Sequence, residues 1–393
     1  MRQFVIIGGG ARGLYFTEIL EQELGCKVVA IVETYKPGES FIEHPLDDAK
    51  IEGVTIFDDL SRALDAYPPD AVDGVFIMTP EWTHTAIFTE VVSRDYNIFL
   101  EKPIATTRED ALAIGSLVNG YPHVVQIGFV LRYSGFYRQV KNWLEGRPMG
   151  RVVMIQMNER LTVQHGMKFK RSWHRMVQYT GGYINEKCSH DLDLMCWFKE
   201  PEATPVRVVS LGNRGYATSS VGETTCATCT RADCLYRDEP SSYDKYVDGE
   251  VLLDQTAKGV GQCIYGNDSD ITDNQSVMIQ FSDGSHGVFS SIAMSGVPGR
   301  DLVIHCEYGT IWGSLETGEL HQLDYRTNVT EDFAIGGMNM HGGGDVQVVR
   351  EFVECIADGT QPSARVSDGV RATLLALAAD ESIASGEVVG FSL

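Results

Sequence analysis

The stretch FVIIGGGARGLYFTEIL, residues 4 to 20, constrains the fold more than any other part of the chain. Four apolar residues, Phe4 to Ile7, read as a buried strand, and a helix-like run follows the glycines. Gly8, Gly10 and Gly13 fit G-x-G-x-x-G, with Ala11 and Arg12 between the last two. In that pattern the first glycine allows a tight turn, the second lets backbone approach a pyrophosphate, and the third lets the helix pack close to the strand. Amide N–H groups and the positive end of the helix dipole then hold the phosphates. A second apolar strand, KVVAIVE, ends on Glu33, 20 residues beyond Gly13. A carboxylate there accepts from ribose hydroxyls and repels a 2′-phosphate, which favours NAD over NADP. Lys36 weakens that preference without reversing it.

The alternation continues. VTIFDDLSRALDAY reads as strand then helix, DGVFIMTP as a strand closing on Thr79 and Pro80, and YNIFLEKP as a strand closing on Glu101, Lys102 and Pro103. A helix bearing His84 and the helix REDALAIGSLVNG separate these runs, and HVVQIGFVLRY is the last predicted strand. Strands alternating with helices imply an α/β fold, here an N-terminal Rossmann domain with a doubly wound parallel sheet over residues 1–128. Ligands bind beyond the carboxyl ends of such strands, where Thr79, Pro80, Lys102, Arg132 and Tyr133 fall. From PMGRVVMIQMNERL onward the pattern changes to strand-like runs joined by short turns: VRVVSLGNRG, QSVMIQF, HGVFSSIAM, DLVIHCEYG, TIWGSL and ELHQLDY. These predict a C-terminal α/β domain, residues 129–393, with a large open, mostly antiparallel sheet. Its helices are expected near 186–198 and in DVQVVREFVECIADG and DGVRATLLALAADESIAS. Residues 216–270 have weak periodicity and read as an insertion.

A formal net charge of −22 excludes a nucleic-acid partner and argues against anionic membranes, since both demand basic surfaces. No run of about 18 apolar residues occurs. The opening MRQFVIIGGG lacks the apolar core of a signal peptide, so the expectation is a cytoplasmic enzyme. Of nine cysteines, Cys226, Cys229 and Cys234 form C-x2-C-x4-C, and Cys263 follows within 38 positions of the first. In a reducing compartment such spacing reads as a metal clip, structural zinc first, with an iron–sulfur cluster using the same ligands.

GGYINEKCSHDLDLMCW, residues 181–197, gathers charge in a helical frame. At helical spacing Glu186, His190, Asp193 and Trp197 share an arc of about 60°, while Cys188, Leu192, Met195 and Cys196 lie opposite. Alone, that charged side reads as a solvated face.

GGGARG, TPEWTH at 79–84, EKP at 101–103, and GG followed by SHDLDL stand in one order along the chain. Together with HGGGD at 341–345 they resemble the Gfo/Idh/MocA family of NAD(P)-dependent sugar and polyol oxidoreductases. The resemblance implies a Rossmann domain plus an α/β domain whose open sheet often forms a homo-oligomer interface. It also implies that the EKP lysine, Lys102, and the helix histidine, His190, face the nicotinamide. On this reading Gly8, Gly10, Ala11, Arg12, Gly13, Glu33, Thr79, Pro80, His84, Glu101 and Lys102 form the cofactor side. One departure stands out: dehydrogenases of the family commonly carry Asp-x-Gly-x-His where this chain has Glu186, Lys187, Cys188 and His190. That variation is similar to branches acting on glycosides or oxidised sugars.

The expected chemistry removes a hydroxyl proton as hydride leaves the same carbon for the nicotinamide. His190 is the candidate base, because imidazole titrates near the working pH. Glu186 orients the ring or holds a sugar hydroxyl, and Lys102 stabilises charge on the reacting oxygen. Arg132, Tyr133, Trp173, His174, Arg175 and Lys187 are candidate walls for a carbohydrate, and His341 with Asp345 reads equally well as a helix cap. Two rival functions remain: an NAD-dependent glycosidase working by transient oxidation, elimination, water addition and re-reduction, and a nucleotide-binding regulator without catalysis.

Overall fold

The structure, a computed structural model, describes residues 1–34, 53–146, 149–216, 268–335 and 341–393, with short pieces at 226, 229–231, 233–237 and 263–266. Lys36 and most of the expected insertion lie outside these residues.

Six short strands build the first sheet: β1 (Gln3–Ile7), β2 (Lys27–Val32), β3 (Thr55–Phe57), β4 (Gly74–Ile77), β5 (Ile98–Leu100) and β6 (Val125–Ile127). They lie in the order β3-β2-β1-β4-β5-β6, and every pairing is parallel. The order reverses between β1 and β4, and the crevice at that switch point is where such sheets hold ligands. Apolar runs such as FVII and GVFI are buried on both faces because helices cover both. One cover comes from far along the chain. Phe352, on the helix Gly344–Asp358, packs 5.2 Å from Phe76, 5.8 Å from Phe99 and 6.3 Å from Phe4.

The second sheet has nine strands, β7 (Val152–Thr162), β8 (Pro205–Asn213), β9 (Asn274–Phe281), β10 (His286–Ser295), β11 (Gly299–Cys306), β12 (Gly309–Ser314), β13 (Glu319–Asp324), β14 (Val329–Ala334) and β15 (Val389–Gly390). Their order is β14-β13-β12-β11-β7-β10-β9-β8-β15. The sheet is mostly antiparallel as expected, with one parallel pair, β7 against β10. The helices Tyr183–Lys199 and Val366–Ser385 pack against each other and against this sheet.

Several local expectations need correction. The strand expected through Tyr133 stops at Ile127, and Val130–Tyr133 is a 3-10 turn that carries Arg132 and Tyr133 into the interior. A helix, Val163–Arg171, stands directly after β7, capped by the Thr162 side chain on the His165 amide. The loop expected at RSWHRMVQYTGG forms two short helical turns, Trp173–Arg175 and Val177–Thr180. β14 went unread because all six of its residues are exposed, leaving no apolar alternation to see.

The Tyr183–Lys199 helix begins where Gly181 (φ 65°) and Gly182 (φ 104°) turn the chain through left-handed backbone. The φ of Gly182 is one that side-chain-bearing residues rarely adopt, and a Cβ there would also sit 2.0 Å from Asp380 Oδ2. The charged side of this helix is not solvated. Glu186, His190, Asp191 and Asp193 are all buried, because the helix runs between the second sheet and the first domain. Buried ionisable groups need partners, and those partners define the site.

Candidate active site

The glycine-rich turn forms as its pattern demands. Gly8 adopts φ 105°, and a Cβ there would meet the Met78 carbonyl carbon at 2.8 Å. A Cβ on Gly13 would sit 2.0 Å from the Gly8 carbonyl oxygen, whereas one on Gly10 would meet nothing within 4 Å. The turn is therefore closed on its protein side and open at Gly10, where backbone can approach a phosphate. No side chain caps the first turn of the following helix, Ala11–Glu18, which leaves its dipole for an anion. Glu33, just past β2, accepts the Gly9 amide through Oε2 at 2.8 Å. The carboxylate expected to meet ribose thus also braces the turn.

From there a chain of charge crosses the molecule. Arg12 donates to Glu101 Oε1 and to Asp345 Oδ1, both at 2.7 Å. The other oxygen of Glu101 accepts the Lys102 amide at 2.8 Å, and Asp345 holds the His341 ring at 2.9 Å. Arg12 and Glu101 therefore orient the backbone carrying Lys102. Lys102 Nζ in turn donates to the Glu186 carbonyl oxygen at 2.8 Å. A lysine at the end of a first-domain strand is thereby joined to the helix that carries His190, one turn further along. His190 is 4% exposed, its Nδ1 has no hydrogen-bond partner, and its ring lies 6.2 Å from His341 and 6.0 Å from Phe129. Burial holds this imidazole well below its usual range, and the charge of Lys102 adds to the effect. It is neutral at pH 7, the form that accepts a proton.

A second group of ionisable side chains stands beside this pair. Glu186 Oε1 lies 3.3 Å from His174 Nε2, and His174 Nδ1 lies 2.5 Å from Ser172 Oγ. Glu186 Oε2 and Glu81 Oε1 are buried without hydrogen-bond partners. Burial, then the charge of Glu186, pushes the Glu81 carboxyl up to about 8. Burial and the charges of Lys168 and Lys102 hold His174 well below its usual value. Lys168 is reachable by solvent yet hemmed in by protein, as a cleft-lining group is, and that crowding lowers its pKa against the pull of Glu186. At the rim Trp82 meets Trp173 at 4.6 Å and Tyr179 at 4.9 Å, an aromatic wall built from both halves of the chain. Trp173 stacks on His174 at 3.6 Å.

Comparison with known families decides the relationship. Residues 2–129 match the family described as "Oxidoreductase family, NAD-binding Rossmann fold", and residues 141–391 match its C-terminal alpha/beta domain. The chain belongs to the Gfo/Idh/MocA family. Among curated relatives, YteT of Bacillus subtilis (strain 168) is 26% identical over 267 residues, 64% of this chain and 61% of that protein. The inositol 2-dehydrogenase/D-chiro-inositol 3-dehydrogenase of Halalkalibacterium halodurans is 27% identical over 213 residues, 52% of this chain and 55% of that protein. The chain thus spans less than two thirds of the length of these relatives. Levoglucosan dehydrogenase in complex with NADH and levoglucosan has the same fold, with TM-score 0.75 and 17% identity over 99% of both chains. GenD2 from gentamicin A biosynthesis, in complex with NAD, gives 0.71 and 17% over 100% of this chain and 97% of that one.

Within this Gfo/Idh/MocA frame, some expected site residues serve the scaffold instead. Arg132, 2% exposed, forks onto Asp193 at 2.5 and 2.6 Å and reaches Asp368 at 3.3 Å. Tyr133 is buried against Gln126, Glu351 and Ser363. Neither is presented to a sugar, because the 3-10 turn faces them inward. Both ring nitrogens of His84 are taken by carbonyls, Pro103 at 3.0 Å and Thr79 at 2.9 Å, so it ties together the chain ends after β4 and β5. Thr79 Oγ1 accepts from Thr83 at 2.8 Å, and Pro80 immediately precedes the turn that holds Glu81. Arg175 pairs with Asp268 at 2.7 Å. Lys187 pairs with Glu159 at 3.1 Å, and Arg300 meets Glu159 at 2.5 Å and Asp191 at 3.3 Å. Glu159, Cys188 and Asp191 bring ligand atoms within 4.8 Å of one another, but Lys187 and Arg300 already supply positive charge there. Glu81 and Lys168 were missed, since nothing in TPEWTH or MKFK tells which way a side chain points.

None of Cys226, Cys229, Cys234 and Cys263 is in a disulfide, and all four line one narrow cavity together with Arg171 and Arg237. The four do not close into one ligand shell: among the described residues only the Glu159 group meets the 4.8 Å spacing.

Proposed function

We propose that this protein oxidises a secondary hydroxyl of a sugar, polyol or sugar derivative with NAD, and that Lys102 and His190 act at the reacting carbon. The observation that carries the reading is the 2.8 Å bond from Lys102 Nζ to the backbone of the histidine-bearing helix. It joins the end of a cofactor-domain strand to the only helix whose imidazole is both buried and without a partner on Nδ1 among the described residues. The bound nicotinamide supplies a hydride acceptor. His190, neutral at pH 7, takes the hydroxyl proton, and the Lys102 ammonium stabilises the developing alkoxide. Gly8, Gly10, Ala11 and Gly13 receive the pyrophosphate, and Glu33 receives ribose hydroxyls, which favours NAD over NADP. Trp173, His174 and Glu186 face the substrate, with residues 1–128 serving the cofactor and 129–393 the sugar. The same reading assigns the enzyme to the cytoplasm, as a homo-oligomer through the open face of the large sheet. Among the described residues no helix is long and apolar enough to cross a membrane.

A second reading, an NAD-dependent glycosidase, is favoured by one feature. Glu81 and Glu186 offer two buried carboxyl oxygens without partners, beyond what hydride transfer needs. Elimination and water addition require such an extra acid–base group. One experiment separates the readings: incubation with NAD and a panel of inositols, anhydrosugars and aryl glycosides. Net NADH supports the dehydrogenase, and aglycone release without net NADH supports the glycosidase. NAD binding with neither result, across a broad panel, would sink both and leave the regulator.

A further inference from the structure

Four cysteines take no part in the cleft chemistry and remain unexplained by it. They come from two stretches, 226–234 and 263, and converge on a cavity of about 10 Å³, room for one water-sized occupant. We infer that Cys226, Cys229, Cys234 and Cys263 bind one zinc ion, a clip beside the end of the Val163–Arg171 helix.

The electrostatics around the cavity suit that ion. Arg171 and Arg237 both line it, and Arg171 Nη2 lies 3.7 Å from Cys226 Sγ while also donating to the Tyr236 carbonyl oxygen. Arg237 donates to the Cys229 carbonyl oxygen at 3.2 Å. A neutral four-thiol cavity gains little from two guanidinium groups. A zinc–tetrathiolate carries two negative charges, which those groups offset. The reaction balances without an oxidant: one Zn²⁺ and four thiols give the tetrathiolate dianion and four protons to solvent. Closing two disulfides would instead require the four thiols to give up four electrons and four protons to an oxidant, and none of the four is in a disulfide. Zinc–sulfur bonds of about 2.3 Å put tetrahedral sulfurs about 3.8 Å apart, so binding draws the four side chains inward onto the cavity.

The location gives the clip a consequence. Arg171 ends the helix that also carries Lys168, a cleft-lining group, and Phe169, which packs 5.6 Å from His174 and 5.3 Å from Tyr183. Fixing the clip fixes one wall of the cleft.

The test is metal analysis of the full chain, purified under reducing conditions without chelator. About one zinc per chain is expected, released in step with thiol modification, and cobalt(II) in its place should give thiolate charge-transfer and tetrahedral ligand-field bands. Cys229→Ser and Cys263→Ser should each lower bound zinc at least about ten-fold. Cys26→Ser, in the first domain, should not. If the serine variants fail to fold, the wild-type zinc content and the cobalt spectrum still decide. Zinc well below one equivalent after growth in zinc-supplemented medium, iron–sulfur absorption, or disulfides among these four cysteines would each overturn the assignment.

Discussion

Replacing Glu81 by glutamine removes a proton-binding group from the cleft while keeping its shape, and the structure sets the size of the effect. The carboxyl is 6% exposed and is raised from 4.5 to about 8, first by burial and then by Glu186. Between those two values the unfolded chain has released this proton and the folded chain keeps it. Folding stability therefore falls as pH rises, by about 1.4 kcal/mol per unit, until the folded group also ionises. Over the whole window that amounts to about 5 kcal/mol, and between pH 5.5 and 7.5 to about 3 kcal/mol. Glu81→Gln has no such loss. Its stability advantage over wild type should widen by that amount across the interval, or about 6 °C in Tm at about 2 °C per kcal/mol. Thermal unfolding of both proteins at closely spaced pH values measures it directly. Glu186→Gln, which removes the like charge that helps raise Glu81, should shrink the gap. Parallel Tm-versus-pH curves for wild type and Glu81→Gln would refute the reasoning, because they would mean that Glu81 titrates alike in both states.

Gly13→Ala puts a Cβ 2.0 Å from the Gly8 carbonyl oxygen and should weaken NAD binding by about 100-fold or more, about 3 kcal/mol, read by fluorescence titration. Unchanged affinity would mean that the turn does not hold the pyrophosphate. Arg132→Met strands Asp193 in the interior, while Asp368 keeps Arg371, and should cost about 3–5 kcal/mol of stability, seen in denaturant unfolding, while KM of the folded fraction stays near wild type. A large rise in KM with unchanged stability would return Arg132 to the substrate site. Because burial and Lys102 hold His190 well below 6.5, kcat/KM should show no loss as pH falls through 6.5. A midpoint at 6.5 that disappears in His190→Gln would contradict this.

What the chain discloses without coordinates follows distance along it. Strand–turn–helix alternation is local, so the first domain, its glycine turn and the strand end at Lys102 could all be read directly. The second sheet was equally legible wherever one face is buried, and illegible at β14, which buries nothing. Pairings over long separations left no trace. Arg132 meets carboxylates 61 and 236 residues away, and Arg12 reaches Asp345 across 333. A wheel shows which side of the Tyr183–Lys199 helix is charged. It does not show that the first domain covers that side and turns a solvated face into a buried site. The inward aim of Glu81 depends on the turn after Pro80, and the cleft position of Lys168 on a helix that polar spacing did not announce.

The proposed chemistry requires an ammonium from one domain and an imidazole from the other acting on the same substrate carbon. Turnover and NAD affinity of Lys102→Ala and His190→Ala, measured side by side on a substrate found in the panel, test this most directly. Each change is expected to lower kcat by about 10²–10⁴-fold while NAD affinity stays within a few-fold of wild type. Turnover near wild type in either variant, with the protein folded and NAD bound, would contradict it.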